Sequence, residues 1–278
     1  MFVRDALSGR VVAFSSSRSK RPHKPKTCPF CKGAEGLTPP AVLALPDADW
    51  SVRVFPNAFP VVSGIAGRHE VIVETPLHSG LFENFSRKQL ALVFEAFQKR
   101  FAALSHGKNA RYVLLFKNFG DKSGASIPHE HSQLLSFPFV PDAVKTELKN
   151  QRALEADVKG PALVETAFFK AVCPAGSLFP FQVRVLAKDK NARFESFSSS
   201  QGVALLALLQ AVVRKVKKAQ GAPDYTVVFH AAPRGKKMRF FVDVLPRKSV
   251  WGGVELGGGV LVNFKKPEAA LKELKSLR

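Results

Sequence analysis

Phe85-Ser-Arg-Lys-Gln89 and Phe197-Ser-Ser-Ser-Gln201 are two versions of one helix start. In each, a serine (Ser86, Ser198) is placed to cap the first turn, and a glutamine three residues on (Gln89, Gln201) to close a capping box. Leu90, Val93, Phe94, Phe97, Phe101 and Leu104 recur at helical spacing after the first start, and Leu205, Leu208, Leu209, Val212 and Val216 after the second. A strand follows each helix, Arg111-Tyr-Val-Leu-Leu-Phe-Lys117 and Asp224-Tyr-Thr-Val-Val-Phe-His230. From Phe85 to Tyr112 is 27 positions, and from Phe197 to Tyr225 is 28. Each unit also has a strand before its helix (70–74, 182–186) and another after the shared strand (132–137, 239–245). The pattern predicts an α+β fold of two related halves, each an antiparallel sheet with a packed helix. The boundaries read 1–145 for the first half, 146–175 for a helical connector and 176–278 for the second half.

A chain of 278 residues is long enough to bury a substantial core. It contains no run of ~18 apolar residues, so no transmembrane helix is expected. Met1-Phe-Val-Arg-Asp5 lacks a signal-peptide pattern, and three cysteines do not make a disulfide framework. A reducing cytoplasm is the expectation. Cys173 stands alone and reads as a packing residue. The net charge of +20 admits a nucleic-acid partner, small anionic substrates drawn into a basic cleft, or a solvated lysine-rich surface. Arg214, Lys215, Lys217 and Lys218, beside the apolar stripe of the second helix, fit the last reading.

The chemistry concentrates in Gly124-Ala-Ser-Ile-Pro-His-Glu-His-Ser-Gln133. His129, His131 and Gln133 alternate, so on a strand they share one face. Only the first half carries this pair. In the second, Phe241, Val242 and Asp243 stand at the corresponding place. A neutral imidazole is nucleophilic near pH 7 without a separate base, which makes His131 the candidate nucleophile for phosphoryl or nucleotidyl transfer. Gln133 can donate to a phosphoryl oxygen but cannot protonate a leaving group, which suits holding a covalent intermediate for a second acceptor. Asn118-Phe-Gly-Asp-Lys-Ser-Gly-Ala-Ser126 reads as the phosphate loop. In it Gly120 and Gly124 permit close backbone approach, and Ser126 adds a hydroxyl donor. Arg18 and Arg21 can place two guanidinium groups on a diphosphate, or belong to a solvated basic tail.

Cys28-Pro-Phe-Cys31 has the spacing of a metal knuckle, but no second Cys-x-x-Cys completes a zinc ribbon. His78, in the loop Thr75-Pro-Leu-His-Ser79, and His129 are the candidates to complete a Cys2His2 tetrahedron. A redox pair or two packed thiols are the alternatives.

Together these residues resemble the galactose-1-phosphate uridylyltransferase family, in the histidine-triad superfamily. The resemblance runs in order through Arg18–Pro22, Cys28–Cys31, Val54-Phe-Pro-Asn-Ala-Phe59, Pro76-Leu-His78, Asn118–Gln133, Phe229-His-Ala-Ala-Pro233 and Gly252-Gly-Val-Glu-Leu-Gly257. It implies two histidine-triad-like halves and a histidine that carries a nucleotidyl group between two sugar phosphates in a ping-pong cycle. On this chain it implies His131 as nucleophile, with Gln133 holding the phosphoryl group. Ser126, Asn118 and Gly124 become phosphate contacts, and Arg18 and Arg21 nucleotide-phosphate contacts. Asn57 falls at the ribose position and Glu255 at a sugar hydroxyl. Cys28, Cys31, His78 and His129 become a structural zinc set.

The reaction so implied moves a uridylyl group from UDP-glucose to galactose 1-phosphate or another hexose 1-phosphate, in a cytoplasmic homodimer of galactose metabolism. The chain departs from the family at Ala58, where aspartate is usual, and at Val254, where an aromatic residue is usual. Phe241 and Asp243 replace histidines of a second metal site. The run Gly252–Asn263 also resembles related enzymes that phosphorolyse nucleotide sugars or dinucleotides. The alternative activity is therefore an adenylyl-transferring phosphorylase of ADP-glucose or a dinucleoside polyphosphate. A basic zinc-containing nucleic-acid-binding protein would account for the charge and the one Cys-x-x-Cys, but not for His-x-His-x-Gln. Neither nucleic acid nor membrane is expected as a partner.

Overall fold

The computed structural model describes residues 1–64, 67–221, 224–248 and 250–277. In the first half, strands β3 (Leu43–Leu45), β4 (Val52–Pro56) and β5 (His69–Val73) precede helix α1 (Arg87–Ser105). Strands β6 (Tyr112–Phe119) and β7 (His131–Phe137) follow it. The second half repeats the plan with β10 (Val183–Ala187), α4 (Ser199–Gln220), β11 (Tyr225–His230) and β12 (Phe241–Pro246). A hairpin, β1 (Phe2–Arg4) with β2 (Val11–Ala13), stands apart from this plan.

With β8 (Val164–Glu165) and β9 (Phe169–Val172), the two halves share one antiparallel sheet, ordered β3-β4-β5-β7-β6-β11-β12-β10-β9-β8. The seam is the pairing of the equivalent strands β6 and β11, from Tyr225 opposite Phe119 to Phe229 opposite Leu115. The α+β class and the duplicated antiparallel plan expected from the sequence are what the chain adopts. The connector expected to be helical over 146–175 is only partly so, with α2 (Asp142–Lys149) and α3 (Gln151–Lys159). Residues beyond them form β8 (Val164–Glu165) and β9 (Phe169–Val172), which extend the sheet from β10. Phe169, Ala171 and Val172 are buried in this edge, and β-branched and aromatic residues satisfy a half-covered sheet better than a helix.

Both long helices lie on one face of the sheet. Their stripes, including Leu90, Phe94, Phe97, Leu205, Leu209 and Val212, join Leu115, Leu134 and Val227 of the strands in a single core that spans both halves. The helix starts differ in one respect. At Ser198 the capping box is complete, with Gln201 accepting from the Ser198 N–H and Ser198 Oγ accepting from the Gln201 N–H. At Ser86 only the serine half forms. Gln89 instead donates to the carbonyls of Ser51 and Glu74, which ties α1 to the ends of β4 and β5.

The helices are tightly packed at Gly202 of α4, where an added Cβ would lie 2.1–2.3 Å from ring atoms of the buried Phe94. Alanine is favoured over glycine inside a helix by about 1 kcal/mol, but here the ring has no room to retreat. Gly202→Ala is expected to lower stability by about 1–3 kcal/mol through overpacking. Urea unfolding reads this as a lower midpoint at unchanged slope; a variant as stable as the parent would show that the helices can separate freely.

Candidate active site

Strand β7 lies between β5 and β6, with His131 opposite Val73 and Gln133 opposite both Val71 and Phe116. Alternation sends Ser132 and Leu134 towards the helices and His131 and Gln133 to the other face. There they line a cavity of about 310 Å³ with Phe30, Phe55, Val71 and Ile127. The Phe30 ring meets the His131 ring edge-on at 5.1 Å between centroids.

His131 Nδ1 lies 2.7 Å from the His129 carbonyl oxygen. A carbonyl can only accept, so Nδ1 carries the ring proton and Nε2 keeps its lone pair. Burial pushes the His131 pKa down to about 4, against the opposing pull of that carbonyl. The imidazole is therefore neutral near pH 7.

The loop after β6 is held from two sides. Gly120 has φ +85°, and a Cβ there would fall 2.4–2.6 Å from the Asp224 carboxylate. Asp224, from the second half, accepts from the Lys122 N–H at 2.7 Å through the space that glycine leaves. From the N-terminal side, Arg21 Nε donates to Ser126 Oγ at 2.8 Å, and Arg21 Nη2 to the Gly124 carbonyl at 3.4 Å. The Lys24 N–H donates to the Ser126 carbonyl at 2.8 Å. Arg18 donates to the Phe59 carbonyl at 3.2 Å. Burial, with the Arg18 charge nearby, holds the Arg21 guanidinium below its ordinary pKa.

His131, Gln133, Ser126, Arg21 and Asn57 all line the cavity. Among the described residues lining it, Asn118, Arg18, Gly124 and Glu255 do not appear. Asn118 Oδ1 accepts from Thr226 Oγ1 across the seam. Gly124 reaches the site only through its carbonyl contact with Arg21. Glu255 accepts from the Gly252 N–H at 2.9 Å and starts the short helix α5 (Gly253–Gly258). The side chains of Val254, Leu256, Val260, Val262 and Phe264 around it are exposed.

Cys28, Cys31, His78 and His129 present ligand atoms that all lie within 4.8 Å of one another and could hold a metal ion. His129 Nε2 donates to the Thr75 carbonyl at 2.8 Å, so its Nδ1 lone pair faces Cys28 Sγ at 3.5 Å and Cys31 Sγ at 3.7 Å. His78 Nδ1 lies 3.5 Å from Cys31 Sγ. Burial and the adjacent Cys28 push the Cys31 thiol up to about 11. Two sulfurs this close ionise together only around a cation.

In the second half Asp243 faces Arg184 instead of presenting a histidine. Arg184 binds it through Nε and Nη2 at 2.8 and 2.9 Å, and Asp157 through Nη1 at 3.0 Å. His230 stacks on Phe241 at 4.2 Å.

The sequence reading missed three participants. One is Asp224. The second is His69, whose Nε2 lies 2.9 Å from Gln133 Oε1. The third is an ion triad behind β7, in which Lys117 contacts Glu74 at 2.6 Å and also Glu130. Ser132 Oγ donates to Glu74, and the Phe82 N–H to Glu130 at 2.9 Å. Burial disfavours the Lys117 ammonium, but the Glu130 and Glu74 charges outweigh it and raise its pKa. A lone lysine inside an apolar strand, Leu114-Leu-Phe-Lys117, was the available signal, because an unpaired ammonium is not buried there.

The family description "Galactose-1-phosphate uridyl transferase, N-terminal domain" matches residues 52–141. An ADP-glucose phosphorylase from Arabidopsis thaliana is 28% identical over 99% of this chain and 92% of its own. A crystal structure of an ADP-glucose phosphorylase from that plant, with bound ADP-glucose, superposes with a TM-score of 0.86 over 100% of this chain and 98% of the other, at 28% identity. The galactose-1-phosphate uridylyltransferase of Thermotoga maritima is 26% identical over 97% of this chain and 96% of its own. A uridylyltransferase structure at 22% identity, covering 99% of this chain and 97% of the other, has the same fold, with a TM-score of 0.84.

Two halves fused in one sheet, with a His-x-His-x-Gln segment beside a Cys/His cluster, have the plan that the resemblance to the histidine-triad superfamily implies. More narrowly, the chain is similar over nearly its whole length to a galactose-1-phosphate uridylyltransferase and an ADP-glucose phosphorylase, and residues 52–141 match the N-terminal domain of the galactose-1-phosphate uridyl transferase family. Among the described residues no helix is long and apolar enough to cross a membrane.

Removing Lys117 would leave two carboxylates facing each other in the core. Lys117→Met is expected to destabilise the protein by about 3–5 kcal/mol, measured by chemical denaturation. Unchanged stability would show that the triad contributes nothing to holding β7 in place.

Proposed function

We propose that the protein transfers a nucleotidyl group from a nucleotide sugar through a covalent bond to His131 Nε2. The observation that carries this reading is the His131–His129 hydrogen bond, which leaves an unprotonated, buried nitrogen facing the cavity. Nε2 attacks the α-phosphorus of the nucleotide, a P–N bond forms, and the P–O bond to the sugar phosphate breaks. The sugar 1-phosphate leaves as an anion. A second phosphate oxygen then attacks the same phosphorus, and His131 leaves as neutral imidazole. Gln133 and Ser126 hold the phosphoryl oxygens, and Arg21 and Arg18 offset their charge. Asn57 holds the ribose, Asn118 and Gly124 shape the phosphate loop, and Glu255 remains the candidate sugar ligand.

For the donor, the likeness to ADP-glucose phosphorylase over nearly the whole of both chains supports ADP-glucose, with inorganic phosphate as acceptor. Ala58 in the cavity wall, where the uridylyltransferases usually carry aspartate, supports the same reading. The second reading, UDP-glucose with galactose 1-phosphate or another hexose 1-phosphate, is supported by the family match and by the Thermotoga maritima relative. Incubation with each radiolabelled nucleotide sugar decides between them by which one labels the protein. His131→Ala is expected to abolish labelling and turnover, and Gln133→Ala to slow turnover by ~10²–10³. A labelled His131→Ala protein would refute the mechanism.

We further propose that the Cys/His cluster holds zinc. Zn–S of about 2.3 Å and Zn–N of about 2.0–2.1 Å at a tetrahedral angle separate nitrogen from sulfur by roughly 3.6 Å. The observed separations are 3.5, 3.5 and 3.7 Å. Held there, zinc fixes His129, whose carbonyl orients His131, and it takes no part in the bond changes. Elemental analysis is expected to find one zinc per chain, lost in Cys28→Ser together with several degrees of melting temperature. Purified protein without metal, equally stable with and without chelator, would sink this assignment.

A further inference from the structure

His69 opens β5 and is buried there, one diagonal step across the sheet from Gln133. The Val61 N–H points at His69 Nδ1 from 3.1 Å. A backbone N–H can only donate, so Nδ1 must be the bare nitrogen. The single proton of the neutral ring is then on Nε2, 2.9 Å from Gln133 Oε1. Asn57 Nδ2 lies 3.2 Å from the same Nε2. Asn57 Oδ1 already accepts from the Phe59 N–H at 2.8 Å, so the nearer Asn57 atom is an NH2 and cannot compete as acceptor. The Nε2 proton goes to Gln133.

A glutamine amide has two ends of nearly equal shape and opposite hydrogen-bonding sense. On a free side chain either end can face a ligand. Here Oε1 is held by an N–H whose tautomer is itself dictated by the main chain, and rotating the amide by half a turn would set NH2 against that N–H. The geometry points to His69 as a positioning residue that fixes the Gln133 amide with its NH2 towards the cavity beside His131. The consequence is a donor poised for a phosphoryl oxygen before any ligand arrives, where otherwise a carbonyl oxygen could meet the anion and repel it. Burial, aided by the charges of Arg18 and Arg21, pushes the His69 pKa down to about 4 and keeps the ring in this neutral form.

This inference rests on the nucleotidyl-transfer reading for its consequence, but not for its geometry, and the two are tested separately. Nitrogen-15 NMR of histidine-labelled protein at neutral pH is expected to show His69 as the Nε2–H tautomer. An Nδ1–H or doubly protonated ring overturns the inference whether or not the protein turns over. Kinetically, His69→Leu is expected to lower kcat by ~10²–10³, the loss typical of one preorganised donor, with less effect on KM. His69→Gln, which can accept from Val61 and donate to Gln133, is expected to recover most of the rate. In a Gln133→Ala background His69→Leu should cost little more, because its effect passes through the missing amide. Multiplying losses in the double variant, or full activity in His69→Leu, overturns it. Wild-type protein that takes label from neither nucleotide sugar refutes the proposed function instead, and the tautomer alone then decides the role of His69.

Discussion

The register of β7 between β5 and β6 is the constraint on which the molecule depends. Side chains alternate along a strand, so a slip of one residue would turn His131 and Gln133 into the helical core and bring Ser132 and Leu134 to the cavity. The register is held by more than ladder hydrogen bonds. Behind the strand, Lys117 of β6 binds Glu74 and Glu130, and Ser132 donates to Glu74. These contacts exist in one alignment only. A buried ion cluster is weak evidence for stability, because each charge gives up its water. Its value here lies in the penalty that any other alignment incurs by leaving those charges unpaired.

Two copies of one plan have diverged around this strand. Both halves supply a helix to the same core and a central strand to the same seam, so neither has a complete hydrophobic face by itself. On the opposite face they part. The first half places a neutral histidine with a bare Nε2 in a cavity. The second uses Asp243 and Asp157 to neutralise Arg184, over the face of Phe241. That network pairs one guanidinium with two carboxylates and places no histidine at the position equivalent to His131. The second half still reaches the first through Asp224, whose carboxylate fills the space left by Gly120 and holds the loop backbone.

The N-terminal segment behaves as part of the site. Its basic residues first suggest a solvated tail, yet Arg21 and Lys24 bind the loop at Ser126, Gly124 and Asp121. The knuckle that follows brings Cys28 and Cys31 to His78 and His129. The segment is thereby fastened at two points on either side of the histidine strand. On the proposed reading, a positive arm so placed faces the negative charge of a nucleotide sugar.

Much of this was legible from local pattern. Helical spacing after Ser86 and Ser198 marked both helices, and period-two alternation placed His131 and Gln133 on one face of β7, but His129 lies before the strand and turns to Cys28 and Cys31 instead of sharing that face. The divergence of the halves was visible too, in Phe241 and Asp243. The β8–β9 edge was not, since two short strands beside a helical stretch carry little periodicity. Nor were His69, Lys117 and Asp224. Each acts through a partner far along the chain, 64 residues away for Gln133, 43 for Glu74 and 102 for Lys122. Sequence periodicity reports which face a side chain takes. Which group it meets there depends on strand order and register, and those are decided only when distant segments pair and bury their charges together.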